Sequence, residues 1–208
     1  MRQLGAFLLA GILCVCGPAR GQTNIDDNNL LQNGGFDNGG TNWDTSANAV
    51  YFYTTTLDGE TDSILSIGWQ NGDSFWQQTD ATIEPATDYV LTIRALVGQS
   101  PLTGVNLSFQ DVTTGWTWLT NQTFAFPDQT ETWRIFSLYV KSNLLAASVG
   151  NTIGAGAEIV ESPTSQEGWM WVDWMQLAPA LPQFTLQPQN ITNTAGGVPQ
   201  DFYILQSH

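Results

Sequence analysis

The sequence predicts an all-β protein, a two-sheet β-sandwich of jelly-roll type, and three observations predict it. Short apolar runs are punctuated along the whole chain by Gly, Asn, Asp and Thr. Beyond residue 21, apolar residues nowhere recur at helical spacing over a window of about 12 positions. The roughly nine or ten short strands that result must each bury one face, which two packed sheets do most economically.

Taken in order, Met1 to Gly21 reads as a secretory signal peptide. Arg2 supplies the positive start, Leu4 to Val15 a short apolar run, and Ala19-Arg20-Gly21 a cleavage point before Gln22. Cys14 and Cys16 fall in this segment, so the mature chain carries no thiol. No later stretch approaches the roughly 18 to 20 apolar residues that a bilayer span requires. A secreted, extracellular or cell-surface chain is expected.

Residues 22–178 form the predicted module. Candidate strands lie at 49–56, 63–70, 73–79, 88–97, 103–110, 116–126 (broken at Thr120-Asn121), 132–140, 145–149, 157–161 and 169–177. Asn71-Gly72 between two β-rich runs predicts a hairpin with a tight primed turn. In 88–97, Tyr89, Leu91, Ile93, Ala95 and Val97 share one side, with Thr92 and Arg94 on the other, although Val90 and Leu96 blur that outer face. Gly154-Ala-Gly156-Ala-Glu158 reads as a flexible turn. Residues 179–183 form a Pro-rich linker, and 184–208 a tail or the truncated start of another domain.

Charge narrows the function. The chain has a formal net charge of -14, and past the signal its basic residues are Arg94, Arg134 and Lys141 against 19 acids. Nucleic-acid binding needs a Lys/Arg patch that three residues do not supply. The only histidine is His208, which removes the base for a Ser-His-Asp arrangement and the ligands for a His/Cys zinc site. No glycine-rich phosphate loop with its lysine is present. Glycoside hydrolysis needs only two carboxylates, for which Glu131, Glu158, Glu161, Asp111 and Asp173 are the candidates. Most of them sit beside turn residues, and the chain is read as non-catalytic.

Aromatic residues are abundant: nine Trp, five Tyr and ten Phe. Rings stack on the C–H faces of a pyranose while Asn, Gln and Asp bond its hydroxyls. Trp116 and Trp118, two apart, are expected to project the same way and form the leading binding platform. Trp76, Trp69 and Gln78 follow as further candidates, and Trp43 is expected to plug one end of the core. Trp169 and Trp171 share a face, with Trp174 opposite. Asn106, Asn121 and Asn190 head glycan-acceptor sequons.

Four motifs in this order, Leu31-Gln-Asn-Gly-Gly-Phe-Asp37 followed by Trp43, Asp73-Ser-Phe-Trp-Gln-Gln78, Ile83-Glu-Pro-Ala-Thr-Asp-Tyr89 and Trp171-Val-Asp-Trp-Met-Gln-Leu177, resemble the galactose-binding-like jelly roll of secreted carbohydrate-binding modules, in the broad group with cellulose- and xylan-binding members. The resemblance covers about residues 30–178 and implies a neutral polysaccharide or glycan partner. It also implies a structural Ca²⁺ held by Asp37 and Asp173, with main-chain oxygens near Asn33 or Asp58 helping. Asp37 stands where Glu is more usual. Phe184 to Gly197 resembles the first strand and turn of immunoglobulin-like modules of bacterial surface proteins, which implies further domains of a modular exoprotein. The leading reading is therefore carbohydrate binding. The alternatives are a structural or adhesion module without a sugar site and, behind it, a glycoside hydrolase.

Overall fold

The computed structural model describes residues 28–46, 50–57, 60–68, 72–97, 102–126, 132–161, 169–180, 187–189 and 202–204. The signal peptide, most of the linker and most of the C-terminal segment lie outside the described residues. Ten strands divide into two five-stranded sheets. One holds β1 (Asp44–Thr45), β4 (Ser74–Thr82), β9 (Thr152–Glu161), β6 (Leu102–Asp111) and β7 (Thr117–Ala125), in that spatial order. The other holds β2 (Val50–Leu57), β3 (Glu60–Gly68), β10 (Trp169–Pro179), β5 (Tyr89–Val97) and β8 (Arg134–Val140). All the pairings are antiparallel. The all-β sandwich is the predicted one.

The core lies between the sheets and follows the period-2 pattern of each strand. Leu91, Ile93 and Ala95 of β5 meet it as predicted; Val105, Leu107 and Phe109 of β6 and Ile153, Ala155, Ala157 and Ile159 of β9 join them there. Trp43 is buried with Phe36 and Phe75, its ring 5.4 Å from each. Its indole nitrogen donates to the Asn33 carbonyl, which lets a large polar-tipped side chain close that end of the core. The opening segment lies against the last strand: Leu30 N–H donates to the Leu177 carbonyl and Met175 N–H to that of Gly34.

Four local expectations fail. The runs on either side of Asn71-Gly72 are strands, but β3 pairs with β2 and β10 while β4 pairs with β1 and β9. The two strands therefore lie in different sheets and do not form a hairpin: β3 pairs instead with the preceding strand β2, Leu57 opposite Glu60, and with β10. Residues 145–149 are not a strand: a one-turn helix α1 (Ser142–Leu145) runs into a 3₁₀ turn, Ala146–Ser148. Gly154 to Glu158 is no turn but the middle of β9, and β7 runs unbroken through Thr120-Asn121. At the C-terminus, β11 (Gln187–Gln189) and β12 (Phe202–Ile204) pair with each other.

Candidate functional site

The outer face of the first sheet is built from the residues that alternate with its core positions. Strand registers align them in rows. Ser74, Glu158 and Asn106 form one; Trp76, Gly156, Ser108 and Asn121 the next; Gln78, Gly154, Gln110 and Trp118 the third. Bulky rings thus stand on β4 and β7, and of the two strands between them β9 carries no side chain at Gly154 and Gly156 while β6 presents Ser108 and Gln110. Strand spacing puts β4 and β7 about 14 Å apart.

Trp116 fills part of that interval by an unusual route. It lies before β7, in the turn after Asp111, with φ at 62° following Gly115 at 88°. This left-handed backbone folds its ring back over β9, where a Cβ on Gly154 would come within 2.9 Å of it. The ring stands edge-on to Trp76, centroids 6.4 Å apart at 76°. Trp116 and Trp118 line the same cleft, then, but not by the strand alternation the sequence suggests.

The turn is held from below. Asp111 is fully buried, and its carboxylate accepts from Thr114 N–H (3.2 Å) and the Asn151 side-chain amide (2.7 Å). Burial pushes the Asp111 carboxyl up, but hydrogen bonds from Asn151, Ser148 and Thr114 outweigh it and hold it below the ordinary carboxylate range. Thr113 Oγ1 accepts from Thr152 N–H, and Val112 N–H donates to the Thr152 carbonyl, tying the turn to β9.

The resulting cleft, about 270 Å³, is walled by Trp76, Trp116 and Trp118. Ser108 and Gln110 are buried in its floor and bonded to one another at 2.7 Å; Ser74 and Glu158 lie toward one end. Trp118 is 49% exposed, and Trp76 and Trp116 are half-buried. Gln78 is exposed on the same face beside Trp76, and Trp69 lies outside the described residues. Sequence reasoning missed Gly154, Gly156, Ser108 and Gln110. Their signal was present as small or polar residues alternating with core ones along two strands, overlooked because Gly-Ala-Gly-Ala reads as a turn.

Among the described residues lining the cleft, Glu158 is the one carboxylate, so the facing pair that glycoside hydrolysis requires is not formed there. Asp111 is buried beneath the turn, and Asp173 is buried and ion-paired with Arg94, whose guanidinium also lies 4.7 Å over the Trp133 ring.

No family model matches the sequence, and no curated protein matches it. Solved structures do match in fold. Family 16 carbohydrate-binding module 2 is 15% identical over 72% of this chain and 99% of its own, with a TM-score of 0.51. The apo form of a cyclase from Fischerella sp. is 14% identical over 74% of this chain and 97% of its own, TM-score 0.58. A Stig cyclase from Fischerella sp. TAU, in complex with a pyrrolidinylidene-indole, reaches 0.57 at 14% identity over 73% and 96%. The fold is a jelly-roll-like sandwich resembling distant carbohydrate-binding modules. It is shared with cyclases, so function has to be argued from the site.

The resemblance implies Asp37 and Asp173 as a calcium pair. Asp173 spends its carboxylate on Arg94, and Asp37 is exposed in the opening loop. In that loop the carbonyls of Gly39 and Thr41 accept from the Asn33 side-chain amide, at 2.8 and 3.1 Å. Among the described residues no three His, Cys, Asp or Glu side chains cluster as a metal site.

Proposed function

We propose that the protein is an extracellular, non-catalytic module of the galactose-binding-like group that binds a neutral polysaccharide in the cleft of Trp76, Trp116 and Trp118. The observation that carries this reading is the half-exposed Trp118 ring beside two further indoles, above a glycine-relieved strand and buried amide and hydroxyl groups. Rings supply stacking surface, the missing side chain at Gly154 lets the Trp116 ring lie over β9 as one wall, and Gln110, Ser108 and Glu158 offer hydroxyl partners. In a chain of net charge -14, an uncharged ligand also meets no long-range repulsion.

Affinity electrophoresis through gels containing cellulose, xylan, mannan and galactan derivatives tests it. The wild-type chain should be retarded by at least one neutral polysaccharide. Trp118→Ala should lower affinity about tenfold, the equivalent of ~1.4 kcal/mol, with the melting temperature little changed. A chain that none of the polysaccharides slows would leave the adhesion or scaffold reading in its place.

A Ca²⁺ held by Asp37 and Asp173 would have to displace Arg94. We expect the ion pair to serve instead, so that chelator and added Ca²⁺ leave the thermal transition in place. An upward shift with Ca²⁺ that disappears in Asp37→Ala would restore the metal.

A further inference from the structure

The opposite sheet carries a second set of rings on its outer face. Met170 and Val172 of β10 point into the core and Phe52 of β2 packs against it, so Tyr51, Tyr53, Trp169 and Trp171 point outward. Between them runs β3, which presents Ser66 opposite both Tyr51 and Trp171, and Gly68 opposite Trp169. The rings lean together across these small residues. Tyr51 and Trp169 have centroids 6.2 Å apart at 39°, and Tyr53 and Trp171 lie at 6.5 Å and 87°. A hydrogen bond links the Tyr53 and Ser66 side chains. Tyr51 is 52% and Tyr53 39% exposed, while both tryptophans are half-buried. As in the cleft, rings on separate strands flank small residues, here Ser66 and Gly68, with Ile64 opposite Tyr53.

We propose that this face is a second binding site for a neutral glycan, independent of the cleft. It rests on the reading of the cleft only for the class of ligand. Charge selects the occupant. Two copies of a chain of net charge -14 repel one another, as do the chain and any anionic polymer or lipid surface. On the face itself Arg94 and Asp173 form an ion pair. An uncharged partner presenting C–H surface and hydroxyls matches four rings with hydroxyl and indole N–H tips. Because the two sites lie on opposite outer faces of the sandwich, one straight glycan segment does not reach both. The protein would join separate chains, with a gain in avidity on polymers over short oligosaccharides.

The test compares wild type, Trp116→Ala/Trp118→Ala, Tyr51→Ala/Tyr53→Ala and the variant with all four changes, by affinity electrophoresis in soluble neutral polysaccharides. Titration calorimetry of wild type with the matching oligosaccharide and sedimentation velocity accompany it. Each double variant should keep part of the retardation, several-fold weakened, and the four-fold variant should lose it. Wild type should take up two oligosaccharides per chain, a result that does not depend on any variant folding. If the tyrosine variant runs as wild type, the tryptophan variant is not retarded and the stoichiometry is one, the second site is overturned and the cleft stands. If the tryptophan variant runs as wild type and the tyrosine variant is not retarded, the cleft reading falls and this face stands. Self-association abolished by the tyrosine changes, without effect on glycan, would assign the face to a second copy and overturn the proposal. Absence of binding by wild type overturns both.

Discussion

Gly154 is where the smallest change should separate binding from folding. A methyl group there would come within 2.8 Å of Val112 Cγ2 and 2.9 Å of the Trp116 ring, both of them side-chain atoms with room to give. At Gly156 the same methyl meets the Phe75 carbonyl at 3.0 Å, a backbone atom that does not yield as cheaply. Gly154→Ala should therefore displace Trp116 and weaken polysaccharide binding several-fold, with a melting temperature near that of wild type. Gly156→Ala should lower the melting temperature as well. Circular dichroism melts beside gel retardation distinguish the two, and equal effects on both readouts at Gly154 would mean that Trp116 is a structural ring.

Among elements, the turn from Asp111 to Trp116 depends most on a single ionised group. The folded-state carboxyl of Asp111 lies below its ordinary value of about 3.9, so its contribution to stability is fully present above that value and is lost as pH falls through the folded value. Asp88 acts in the same direction: Ser142 N–H, first, and Lys141 hold its carboxylate low at the start of α1. Thermal melts should show stability falling on acidification below about pH 4. Asp111→Asn should flatten part of that dependence and, at neutral pH, cost about 1 to 3 kcal/mol, because donors buried around it lose a charged acceptor. A pH profile identical to wild type would show that Asp111 is not what ties the turn. The helical turns of 142–148, where the sequence predicts a strand over 145–149, show the same local control: the Asp88 carboxylate meets Ser142 N–H and starts a helical turn that apolar content alone does not announce.

For the whole molecule the governing quantity is charge. A net charge of -14 creates a repulsive field that low salt extends and high salt screens within about a Debye length. Binding to neutral polysaccharide should change little between low and high ionic strength. An anionic polymer such as polygalacturonate should fail to retard the chain at low salt. Retardation by the anionic polymer that weakens as salt is added would mean that the ligand is recognised by charge, and would remove the stacking argument. The similarity to solved structures, at 14–15% identity, reaches the architecture and no further.

Composition and period-2 alternation were enough to determine the sandwich, the core positions of β5, the burial of Trp43 and the aromatic richness of the cleft, because burial of one strand face is a local demand that each segment states for itself. Which strands are neighbours was not legible, since pairing depends on which edges the folded chain brings together; the Asn71-Gly72 hairpin failed because β3 pairs with the preceding β2 and the distant β10 while β4 lies in the other sheet. The same holds for the site. Trp76, Trp116 and Trp118 were picked out as rings, but their meeting depends on the left-handed turn at Gly115-Trp116 and on Gly154 and Gly156 lying in register between β4 and β6. The ion pair of Asp173 was likewise set by the pairing of β10 with β5, which puts Trp174 opposite Arg94 and brings the Arg94 guanidinium to the neighbouring Asp173 carboxylate across 79 residues of sequence.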